Sequence, residues 1–215
     1  VRWAEADTDF EEETFLEQHL VGGLSEPDSR QYLRKCLILD AALQDAILRV
    51  VGGTESPSAG GCHPLTLGLC ADIVVQERSR GREPDPSTFA LRPGDLNALT
   101  LRFLRSLGST ELEHYVLSLA LTDRFDAAAA QDLRSRDDQP ARSAAWSTLR
   151  AFSFLQNVTE DEQWFQFTPL MTAALRNHLE KDGEMLRELH EYWQSYWKGR
   201  SKLPSDGFAG LAWYH

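Results

Sequence analysis

The sequence holds no G-x-x-x-x-G-K followed by Ser or Thr and no G-x-G-x-x-G, so no loop able to cradle a nucleotide's phosphates is found in it. It has no H-E-x-x-H and no nucleophile elbow G-x-S-x-G. Of its six histidines, His178 and His190 are separated by a helix break, and His19, His63, His114 and His215 stand far apart. Lone histidines of this kind are more often surface or satisfied core residues than ligands. Cysteine is scarce: Cys36, Cys62 and Cys70 are odd in number and form no C-x-x-C pair, which suggests neither a disulfide framework nor a zinc site. A reduced, cytoplasmic compartment fits this usage. No run approaches the roughly 18 apolar residues of a spanning helix, and the acidic opening VRWAEADTDFEEE has the wrong charge for a signal peptide. The start at Val1 rather than Met leads us to expect a fragment, a processed product or an excised domain.

No segment is basic either. The net charge is −11, and residues 1–60 alone carry 12 acids against 5 bases. Clustered Lys and Arg supply most of a protein's affinity for nucleic-acid phosphates, so this balance argues against such a partner. What is present is an ordinary globular composition, 42% hydrophobic and 26% charged, able to bury a core.

After an acidic arm over residues 1–23, Ser25 is a good N-cap with Pro27 in the first turn, and Tyr32, Leu33 and Cys36 form a helical stripe. Asp40 starts a second helix with Leu43, Ile47, Val50 and Val51 on one face, stopped by Gly52-Gly53. The stretch GGTESPSAGG favours no packed element. Pro64 opens a third helix, apolar nearly all round and so expected to be buried. Residues 24–80 thus form one helical bundle, and the proline-rich stretch at 81–95 a linker.

Residues 96–181 form a second unit. Leu96 to Leu107 make a helix ended by Gly108, and Ser109 or Thr110 caps the next. Phe125 and Leu133 are expected to anchor a short helix, and Trp146, Leu149, Phe152 and Phe154 a second one running straight into a strand. A hairpin follows, Phe152 to Val158 paired with Trp164 to Thr168, and a helix re-enters at Pro169, whose missing N–H suits a first turn. Helix, helix, two-stranded wing, helix is the order of a winged helix. Residues 182–215 add an aromatic helix with Tyr192, Trp193, Tyr196 and Trp197, a stripe more often core or interface than ligand box. The fold class expected is mainly α: a small helical bundle, a winged helix with a short β-hairpin wing, and C-terminal helices.

This pattern resembles the C-terminal half of the nucleotide-binding module of STAND-class P-loop NTPases, the NLR or NB-ARC-like signal-transduction ATPases, in which a P-loop domain is followed by a helical lid and a winged helix. Leu24-Ser25 with Tyr32-Leu33 resembles a lid helix, and Gly61-Cys62-His63-Pro64-Leu65-Thr66-Leu67 resembles the lid's glycine-x-proline segment, whose proline packs on adenine. Trp164-Phe165-Gln166-Phe167-Thr168-Pro169-Leu170 lies where the family has a strand ending in a histidine that reaches the β-phosphate. Here Thr168 takes that place, bringing a hydroxyl without charge. The resemblance implies His63, Pro64 and Thr168 as nucleotide-facing residues, and ATP or ADP held by the parent protein rather than tightly by this chain alone. It implies no hydrolysis without the P-loop's lysine, and as partners a P-loop domain and a tetratricopeptide-like sensor of the same parent, with room for an oligomer. Two other readings compete. One is a DNA-binding winged-helix regulator reading through Ala141 to Phe152, which offers only Arg142 and Arg150; the other is a helical interaction scaffold.

Overall fold

A computed structural model describes residues 23–52, 61–130, 143–158 and 164–200 of the chain. Within them the protein is mainly helical, with one small antiparallel sheet. Helix α1 (Glu26–Lys35) is capped by the Ser25 side chain and α2 (Ala41–Val51) by Asp40, each accepting a backbone N–H of the first turn. Between them the chain turns through Leu37, at φ 61°. Leu37 N–H donates to Arg34 O and Ile38 N–H to Leu33 O, so α1 ends in a Schellman motif with leucine where glycine is usual. The buried Ile38 and Leu33 supply the apolar contact of that motif.

Leu24, just before α1, pairs with Cys62, just before the next helix, through two backbone bonds of 2.8 Å. That bridge sets the starts of α1 and α3 (Pro64–Ser79) side by side. α3 buries Leu67, Leu69, Cys70, Ile73 and Val74, as its all-round apolar sequence requires. The stretch over 81–95 contains a 3-10 turn, Pro86–Phe89, whose Phe89 is buried against α2, and Gly94 N–H donates to Val50 O at 3.0 Å.

α4 (Leu96–Leu107), capped by Asp95, packs along α3 more extensively than any other pair of elements. It ends at Gly108, φ 65°, where a Cβ would collide with the Arg80 guanidinium that donates to Ser106 O. α5 (Thr110–Ala120), capped by Ser109, leads to β1 (Phe125–Asp126). Here the structure departs from expectation: Phe125 lies in a strand rather than a helix, and helical residues begin only at 127, with Asp126 accepting the Ala129 N–H. Leu133 and Arg142 lie outside the described residues.

α6 (Ser143–Arg150) does not run straight into the wing. A turn over residues 151–154 intervenes, holding Phe152 and Phe154, before β2 (Leu155–Asn157) and β3 (Trp164–Phe167). The sheet has three strands in the order β1-β3-β2, not two, with Phe125 opposite Phe165 and Leu155 opposite Phe167. Phe165 and Phe167 point inward and alternate with half-buried Trp164 and Gln166, the period of two that a half-covered strand shows. α7 (Pro169–Leu179) follows β3 with only Thr168 between. α8 (Gly183–Arg200) starts where Asp182 accepts the Met185 N–H.

The buried side chains form one connected core. Phe103 of α4 meets Phe152 and Phe154 edge-on, with centroids 5.0 and 5.2 Å away, and Phe154 meets Phe167 at 5.2 Å. The contact chain passes on through Phe125 and Phe165 to Trp146. Such pairs add about 0.5–1.5 kcal/mol each beyond the area they bury. In α8, Trp193 and Trp197 are fully buried, Trp197 stacking on Trp164 and Trp193 Nε1 donating to Ser118 O at 2.8 Å. The aromatic helix is part of the core.

Candidate functional site

The three residues singled out by the family resemblance, His63, Pro64 and Thr168, line a single cleft of about 740 Å³. One wall is the start of α3, with Pro64, Leu65, Leu67 and Gly68; the other is the β3–α7 junction, with Thr168, Pro169 and Leu170. Leu24 and Tyr32 come from the entry into α1, and Ser153 and Gln156 from the hairpin.

Two helix N-termini therefore face one space. The first backbone bonds of these helices are Leu67 N–H to His63 O and Thr172 N–H to Thr168 O. Proline at the first position of each removes one orphan donor, leaving the amides of Leu65 and Thr66 and of Leu170 and Met171 at the ends. Neither end is closed by its own N-cap side chain: His63 and Thr168 make no capping bond, whereas Ser25, Asp40, Asp95 and Ser109 all do at their helices. The Thr168 residue is 8% exposed, and its hydroxyl has no hydrogen-bond partner. A buried polar group in that condition costs about 1–3 kcal/mol.

Charge points the same way. In a chain of net charge −11, no Asp or Glu among the described residues lines the cleft. Helix N-termini carry partial positive charge and attract anions. Besides the His63 imidazole, the described lining is apolar, or carries hydroxyls and one amide: Tyr32, Ser153, Thr168 and Gln156. Chemically the cleft suits a flat apolar body carrying an anionic group, and its volume is that of an ordinary small-molecule site.

Behind the wall lies Asp72, one helical turn beyond Gly68 on α3. Its Oδ2 accepts Ser153 N–H at 3.0 Å and Ser153 Oγ–H at 2.7 Å. Removal from water pushes its carboxyl up to about 6, and the two bonds from Ser153 only partly offset this. No cation among the described residues forms an ion pair with it. Burial, followed by the charge of Asp72, also raises the Cys70 thiol, and both contribute to raising Tyr32 and Cys36.

Tyr32 was legible as part of a tyrosine-leucine pair, but Ser153, Gln156 and Asp72 were not singled out by the sequence. Asp72 and Ser153 are 81 positions apart, and nothing in the string couples them. Among the described residues no group of His, Cys, Asp and Glu could hold a metal ion, and no helix is long and apolar enough to cross a membrane.

Comparison with known proteins adds one match. No curated protein and no solved structure matches the chain. Residues 105–187, from the end of α4 into α8, match the family model of the MalT winged helix domain. That match supports the winged-helix portion of a MalT-like, STAND-type protein, and it does not single out the NB-ARC branch.

Proposed function

We propose that this chain is the lid and winged-helix part of a STAND-type signal-transduction ATPase, and that the cleft takes the adenine nucleotide of the parent protein and relays its state to a sensor or effector region. The observation that carries the reading is the convergence of Pro64, His63 and Thr168 on one cleft between two helix N-termini that lack side-chain caps. Pro64 supplies a rigid apolar ring for the base. The α7 amides and the unpartnered Thr168 hydroxyl supply donors for a phosphate oxygen. The P-loop domain would bring the remaining phosphate contacts, and a tetratricopeptide-like region would receive the signal. Nucleotide bound at the cleft would favour the arrangement in which both walls are engaged, so that its presence biases a two-state equilibrium.

The test is thermal melting of the parent polypeptide that carries the nucleotide-binding domain, with and without ADP. A ligand that binds only the folded state raises the melting temperature. The expected result is a rise that Pro64→Ala and Thr168→Ala each reduce. A melting curve indifferent to ADP and ATP would remove the reading.

A further inference from the structure

The two walls of the cleft belong to different parts of the chain, α3 on one side and the hairpin with α7 on the other, and few groups join them directly. Gly68 and Asp72 are four residues apart and so lie on one face of α3. At Gly68 the hairpin turn comes so close that an added Cβ would stand 2.6 Å from Ser153 Oγ and 2.7 Å from Ser153 Cβ. At Asp72 the same serine is held by both of its donors. The next residue, Phe154, accepts the Thr168 N–H through its carbonyl at 2.8 Å. A continuous bonded path thus runs from α3 through Asp72, Ser153 and Phe154 to Thr168, a residue that lines the cleft.

We propose that Asp72 is the positioning residue of this cleft: by clasping Ser153 it holds the Thr168 wall against the Pro64 wall. A half-buried carboxylate with no cation beside it is an expensive way to stabilise a fold, because burial disfavours its charge. It is a good way to fix a position, because one oxygen takes two donors from a single residue and leaves that residue no freedom to turn. Release of the clasp frees the 151–154 turn from α3 while the phenylalanine contacts of Phe152 and Phe154 with Phe103 remain. The walls then part at the cleft without the core coming undone.

The identity of the ligand rests on the nucleotide reading above; the clasp does not. Amide hydrogen exchange on the full 215-residue chain, without ligand, separates the two. Asp72→Ala removes both bonds to Ser153 and is expected to raise exchange in peptides covering 153–157 and Thr168 at least about tenfold, while peptides of α5 and α8 keep wild-type protection. Asp72→Asn retains an acceptor oxygen of the same reach and is expected to hold protection near wild type. Ser153→Ala keeps the backbone donor and is expected to give a smaller rise at the same peptides, which keeps the test valid if Asp72→Ala does not fold. Wild-type exchange in Asp72→Ala, or in Ser153→Ala should it be the only variant that folds, overturns the proposal. So does a rise spread evenly over the chain, the mark of a residue that is merely structural. ADP titration of the parent polypeptide that carries the nucleotide-binding domain forms the second arm: absence of binding there sinks the nucleotide reading and leaves the clasp to be judged on exchange.

Discussion

Thr168 stands at the end of a strand and the start of a helix, and its hydroxyl does neither of the jobs those places offer. It does not cap α7, and it finds no partner in the core. Replacement by valine keeps the shape and removes the stranded oxygen. Thr168→Val is therefore expected to raise the stability of the ligand-free chain by about 1 kcal/mol in urea unfolding, and to weaken ADP binding by the nucleotide-bearing parent about tenfold. A variant less stable than wild type would mean that the hydroxyl is already satisfied. Asp72 shows the opposite cost, a charge that folding makes harder to hold. Its carboxyl sits near 6 in the folded chain against an ordinary 3.8. Between pH 4 and 6 the folded state keeps a proton that the unfolded state has released, so stability falls as pH rises through that window and the full cost persists above it. The slope from this one group is at most about 1.4 kcal/mol per pH unit. Other carboxylates contribute to both proteins alike, so the difference between wild type and Asp72→Asn in chemical unfolding should grow from pH 4 to pH 6 and level off above. A difference that does not change with pH would show that Asp72 titrates normally.

At the scale of elements, the decisive approach is that of α3 to the hairpin turn. Gly68→Ala places a methyl group against Ser153 and should cost about 1–3 kcal/mol as the turn is pushed outward, measured as a lower urea midpoint. Alanine has the better helix propensity, so a stabilised variant would mean that the turn yields freely. How much of this could be read in advance differs by element. Three of the helices were legible because their caps are local chemistry: Ser25, Asp40 and Ser109 each bond an amide within a few residues. β3 was legible because Phe165 and Phe167 alternate with Trp164 and Gln166. The two-residue β1 was not, since Phe125-Asp126 is too short to show a period and becomes a strand only by pairing with β3, some 40 positions on. The 151–154 turn was likewise hidden, because an apolar Phe-Ser-Phe suits a strand as well as a turn buried on Phe103. Of the candidate site, Pro64 and Thr168 could be named from motif position. The clasp could not, because it exists only when α3 lies across the hairpin.

The molecule as a whole is held by one apolar core that spans what the sequence divides at residues 81–95. α3 lies along α4, Phe89 of the intervening stretch is buried against α2, and phenylalanines link α4 to the sheet. A shared core of this kind should unfold in a single step. The placement of tryptophan offers a direct view of it. Trp146, Trp164, Trp193 and Trp197 all lie in α6, β3 and α8, while described residues 23–52 and 61–79 hold none. With Trp3 and Trp213, outside the described residues, replaced by phenylalanine, indole emission reports the winged-helix end alone, whereas far-UV circular dichroism reports every helix. The two signals are expected to cross at one urea concentration. Dichroism lost ahead of emission would mean that α1 to α3 melt apart from the rest. None of the described tryptophans lines the cleft, although Trp164 stands in the strand that leads to Thr168, so a change in indole colour on adding nucleotide would be a signal carried from the cleft wall into the winged-helix core rather than one made by contact with the ligand.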